Sequence, residues 1–145
     1  MYHRILLPTD GSEASLAALD HALDLTGRFD AALDVLYVVD TGALPLDAHS
    51  RALFDAADQA ARGTVADMVD RAERRGVERV TGEVREGSPS EVVLDYAADH
   101  DVDLVVMGTH ARTGVERYLL GSVTERVLRA SPVPVLTVRG PSESD

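Results

Sequence analysis

The sequence predicts an α/β domain built on a mostly parallel sheet. Short apolar runs that suit strands alternate with longer stretches whose apolar residues recur at helical spacing. The most hydrophobic run before the glycine loop, Val102 to Met107, is broken only by Asp103, as expected of a strand in the middle of the sheet. A length of 145 residues suits one domain whose core needs no disulfide, and the chain has no cysteine.

The elements follow in order. Ile5-Leu6-Leu7 is a short strand ended by Pro8, and after the turn at Asp10-Gly11 the residues Leu16, Leu19 and Leu23 mark the first helix. Leu33 to Val39 is the second strand, interrupted only by Asp34. A long helix then runs through Leu53, Ala57, Ala60, Val65, Met68, Val69 and Ala72 to an end near Gly76. Val77 to Val84, diluted by charges and Gly82, reads as a strand at the sheet edge. Ser88-Pro89-Ser90-Glu91 predicts a helix start with a capping box, and Val92, Val93, Tyr96 and Ala97 supply its buried stripe. After Val102 to Met107, a further helix runs through Val123, Val127 and Leu128 until Ser131-Pro132 stops it. Val133 to Val138 is the last strand, with Pro134 near its start or at an edge. The count is five strands and four helices, forming one unit over residues 1–139 with a disordered tail at 140–145.

The charge narrows the function classes. A net charge of -11 argues against nucleic acid as the main partner and disfavours anionic membranes. The N-terminus shows no basic-then-apolar signal and no segment approaches the roughly 20 apolar residues of a membrane span, so a cytoplasmic protein is expected. All 14 basic residues are arginine, and aspartate outnumbers glutamate, which suggests a salt-adapted, halophilic source or a GC-rich genome.

The densest functional signal lies between Met107 and Thr124. Gly108 follows a strand directly, where a missing Cβ lets the backbone turn and approach a ligand. Gly121 opens a helix whose free N–H groups and positive dipole end favour an anion such as phosphate, through the amides of Gly121, Ser122, Val123 and Thr124. Between Gly108 and Ser131 stand four arginines (Arg112, Arg117, Arg126, Arg129) against two glutamates, a local balance of +2 in an acidic chain. Arg112, inside the loop, is the best-placed cation, and Thr109 and His110 are within the same loop.

These residues, with Ile5 to Ser12, Gly87-Ser88-Pro89 and Pro132 to Val138, resemble the universal stress protein family over nearly the whole chain. Its motif is glycine, two residues, glycine, nine residues, glycine, then serine or threonine, and it accompanies ATP binding. Gly108, Gly121 and Ser122 match, while Ala111 replaces the second glycine and sets a Cβ where the loop backbone would approach phosphate. The resemblance implies an open, Rossmann-like five-stranded parallel sheet of order 3-2-1-4-5 with helices on both faces. Ligands of such sheets bind beyond the strand ends where the order reverses, here Pro8-Thr9-Asp10 and Met107-Gly108-Thr109. It also implies a ribose contact at Asp10, an adenine contact at the Val38 backbone, ATP with Mg2+, and a regulatory homodimer through Val133 to Val138, without an enzymatic role.

Plainer readings stand beside these. Asp10 suits the turn with Gly11, Ser122 and Glu125 suit a capping box, and Val38 suits the core. A nucleotide-free dimeric interaction module is the main alternative function; a flavin carrier is disfavoured by the lack of tryptophan and few other aromatics. The five histidines show no metal-ligand spacing, no lysine is available for a P-loop, and no serine sits in a nucleophile elbow. Asp101 and Asp103 read as solvated carboxylates at a strand start.

Overall fold

A computed structural model describes residues 1–41, 48–109 and 121–140, with the backbone alone for 48–50. Strand β1 (Arg4–Thr9) leads to α1 (Glu13–Phe29), β2 (Ala32–Asp40), α2 (Ala48–Arg74), β3 (Val80–Gly87), α3 (Pro89–Asp99), β4 (Leu104–Thr109), α4 (Ser122–Ala130) and β5 (Val135–Arg139). The five strands form one all-parallel sheet in the order β3-β2-β1-β4-β5, as the sequence and its resemblance predict. No helix among the described residues is long and apolar enough to cross a membrane.

Side chains alternate across the sheet, so each strand feeds two cores. Ile5, Leu7, Leu33, Val35, Leu104 and Val106 pack under α1 and α2 with Leu19, Val65 and Met68. Leu6, Leu36, Val105 and Met107 pack under α3 and α4 with Val93, Tyr96 and Val127. The helices that follow β1 and β4 therefore lie on opposite faces, the condition for a crevice between those strands.

Several local expectations are corrected. Pro8 does not end β1, which continues to Thr9 in register with Tyr37 of β2. The third strand runs from Val80 to Gly87 rather than Val77 to Val84, because the Val77 amide is used by Ala72 to close α2. Gly82 is there for packing: a Cβ would stand 2.4 Å from Val65 and 2.8 Å from Val69 of α2. Ser88 is the N-cap of α3 and Pro89 its first residue, yet the serine side chain makes no capping bond and the predicted box is absent. In α4 the N-cap is Gly121, so Ser122 is already the first helical residue and its hydroxyl lies one position too late to cap. Glu125 pairs one turn onward with Arg129 at 2.6 Å instead of closing a box. Asp103 is a structural acceptor rather than a solvated carboxylate, taking the amides of His3 at 2.7 Å and Arg4 at 3.2 Å to fix the start of β1.

Asp34, only 1% exposed, sits in the middle of β2 beneath α3. A buried carboxylate needs donors, and it has three: Arg4 Nη1 at 2.8 Å, Thr81 Oγ1 at 2.9 Å and Tyr96 Oη at 2.8 Å. These ties join β1, β2, β3 and α3. His100 stacks on the Tyr96 ring at 3.8 Å and the Arg85 guanidinium lies 4.9 Å from its centroid.

Candidate functional site

The crevice originates in one residue. The Arg4 carbonyl accepts the Asp103 amide, so Arg4, Leu6 and Pro8 turn their backbone polar groups toward β4. Pro8 has no N–H to offer there. Pairing of β1 with β4 covers only Ile5↔Leu104 and Leu6↔Val105, whereas β1 stays paired with β2 to Thr9. The two strands thus part at their carboxyl ends, where the sheet order reverses.

On the β1 side, Thr9 is buried and its Oγ1 accepts the Gly11 amide at 3.1 Å. Gly11 has φ +79°, a left-handed conformation that favours glycine. Asp10 is exposed, and its Oδ1 accepts the Ser12 amide at 3.0 Å and the Ser15 hydroxyl at 2.8 Å. The turn role of Asp10 is therefore observed, and its carboxylate is held at the crevice by that same turn. Tyr37 Oη donates to the Asp10 carbonyl at 3.4 Å. Val38 stands one position beyond Tyr37, half-buried against the α3 and α4 core and paired with Arg85 of β3, which places it one strand away from the gap.

On the β4 side, Met107 is buried under α3 and α4, and Thr109 is buried with its carbonyl accepting the Gly140 amide at 2.8 Å. Gly108 corrects the expectation attached to it. It lies inside β4, and a Cβ would meet the Ala14 carbonyl carbon and oxygen at 2.4 Å and the Ser15 nitrogen at 2.8 Å. The side that glycine leaves bare is occupied by α1, so its reason here is close helix–strand packing rather than a turn toward ligand. Gly140 repeats the pattern against Ala14, at 2.8 Å.

Gly121 is the opposite case. Its φ of -58° is open to any residue, and a Cβ would meet only Thr124 Oγ1 at 3.9 Å. Nothing in the described residues demands glycine there. The first amide of α4 bonded within the helix is that of Glu125, to the Gly121 carbonyl at 2.9 Å, so the amides of Ser122, Val123 and Thr124 have no partner within the helix itself. Val123 packs on the same core as Met107, which holds this turn against the face of the sheet that α3 and α4 cover. His110, Ala111 and Arg112 lie outside the described residues, as do residues 141–145 of the tail.

The polar groups at the crevice are hydroxyls and backbone amides that can donate and the Asp10 carboxylate, which accepts. That suits a ribose and phosphates, and among the described residues only Thr124 comes within 4 Å of a Cβ built at Gly121. Among the described residues no three His, Cys, Asp or Glu gather to hold a metal. Sequence reading missed Ser15 and Tyr37. A serine on the buried stripe Ser15, Ala18, Leu19, Ala22 was the available signal for the first; Tyr37 had none.

Comparison with known proteins agrees with this geometry. The family model described as the universal stress protein family matches residues 1–139. A universal stress protein of Methanocaldococcus jannaschii is 36% identical over 146 residues, covering 99% of this chain and 85% of the relative. The solved universal stress protein UspA of Lactobacillus plantarum superposes with a TM-score of 0.84 at 30% identity, covering 95% of this chain and 98% of that one. A universal stress protein solved in complex with cAMP shares the fold at TM-score 0.71 and 23% identity, over 97% of this chain and 98% of its own. On its sequence and its architecture alike, the chain belongs to the universal stress protein family.

Proposed function

We propose that this chain is a cytoplasmic regulatory protein of the stress response that binds ATP, with Mg2+, in the β1–β4 crevice and does not turn it over efficiently. The observation that carries the reading is the gap beyond Leu6, with the Asp10 turn at the end of one strand and the first turn of α4, which opens at Gly121, packed through Val123 on the core that Met107 of the other strand shares. The complex of a fold relative with cAMP, an adenine nucleotide, supports the ligand class. The same reading makes the protein a homodimer through β5, an edge strand with Leu136 38% exposed, since an apolar edge left open invites pairing.

A nucleotide-free interaction module is the second reading. It draws on Ala111 and on Gly108, whose bare side is filled by α1. Mass spectrometry of nucleotide released from protein purified without added ligand, together with titration calorimetry, separates the two. Bound adenine nucleotide, or ATP binding below millimolar concentration, is the expected result; neither at millimolar ATP overturns the proposal.

A further inference from the structure

We infer that Ser15 is the positioning residue of the crevice, setting the Asp10 carboxylate against the end of β4; this rests on the nucleotide reading above. Ser15 lies in the first turn of α1 and is 5% exposed. A serine inside a helix ordinarily turns its hydroxyl to solvent or back to a carbonyl one turn earlier. Here the hydroxyl leaves the helix and reaches residue 10. Its Oγ donates to Asp10 Oδ1 at 2.8 Å and accepts the Asp10 amide at 3.2 Å, so one atom fixes both backbone and side chain of the aspartate. The helix does not need this hydroxyl for capping, because Ser12 Oγ already caps α1 by accepting the Ser15 amide at 3.2 Å.

The same residue touches the other wall. The Ser15 nitrogen stands 2.8 Å from where a Cβ on Gly108 would be, so α1 is seated directly on the β4 backbone. Ser15 therefore spans the gap that opens beyond Leu6 and Val105. Across that gap the strands share no ladder bonds, and the first turn of α1 links their ends. If Asp10 receives ribose hydroxyls, the length of that link determines where it presents its oxygens. Ser15 matches no part of the glycine motif, and its place on the buried stripe of α1 is its one signal in the sequence.

The test compares wild type and Ser15→Ala for ATP and for 2′,3′-dideoxy-ATP, with Asp10→Ala as the second background. Ser15→Ala is expected to weaken ATP about tenfold, as for one lost hydrogen bond to a charged group. It is expected to leave the dideoxy analogue unchanged and to add no loss in the Asp10→Ala background. In nucleotide-free protein, exchange of the Asp10 and Ser12 amides should quicken about tenfold while that of Leu7 stays slow. Unchanged ATP affinity, equal losses for both nucleotides, or a full further loss in Asp10→Ala overturns the inference. A wild type that binds neither nucleotide overturns the nucleotide reading itself and is told apart by that control.

Discussion

Replacing Gly108 with alanine tests the seating of α1 on β4 most directly. The new Cβ would stand 2.4 Å from the backbone carbonyl of Ala14, about 1 Å inside the 3.4 Å at which ordinary contact begins. The obstructing atoms are main chain, so no rotamer change relieves the overlap. Helix α1 must lift from β4 by a comparable distance, carrying Ser15 and through it Asp10. Overpacking in a well-filled core costs roughly 1–3 kcal/mol, and the upper figure applies when backbone must move. At roughly 2–4 °C per kcal/mol for a domain of this size, the melting temperature should fall by about 6–12 °C. Calorimetric melting with urea titration gives both numbers. A variant within about 0.5 kcal/mol of wild type, the range of an ordinary surface change, would refute the account of Gly108 as a packing residue.

Gly121→Ala should leave stability within about 0.5 kcal/mol, because among the described residues its Cβ meets only Thr124 at 3.9 Å, and yet weaken ATP severalfold by calorimetry if phosphate lies on that backbone. Ala111→Gly should strengthen ATP binding, since it restores the family's second glycine; unchanged affinity would show that the methyl is no obstruction. Tyr96→Phe removes a donor from buried Asp34 and should cost about 2–3 kcal/mol at neutral pH in urea unfolding. Burial, followed by the neighbouring Asp34, holds the Tyr96 phenol well above the ordinary tyrosine range. The folded state thus favours the protonated phenol, a stabilisation fully present below pH ~10 and lost as pH rises beyond it. The stability gap between wild type and Tyr96→Phe should narrow above that pH, and a gap constant to pH 11 would contradict the assignment.

Much of the fold was legible because hydrophobic period is a local property. Val102 to Met107 announced a strand in the middle of the sheet, and β4 is such a strand, lying between β1 and β5. Charges and Gly82 announced an edge, and β3 is one. Where local readings failed, a neighbouring position had taken the role. Gly121 displaced Ser122 from the N-cap of α4, and the Val77 amide went to α2 instead of to a strand. Pro8 was read as a stop because its missing N–H is visible in sequence; which neighbour that N–H would have faced is not.

The sequence by itself determined the alternation of strands and helices, the acidic and lysine-free surface, and the presence of glycines beside a strand end and a helix start. Tertiary structure decided what each glycine is for. Gly108 and Gly140 are bare because Ala14 presses on them, while among the described residues only Thr124 comes within 4 Å of a Cβ built at Gly121. Two identical residues differ in this way because a missing Cβ has meaning only through what comes near it, and that is set by helix packing across more than 90 residues of chain. The same holds for Asp34, a break in an apolar run until Arg4, Thr81 and Tyr96 are brought around it.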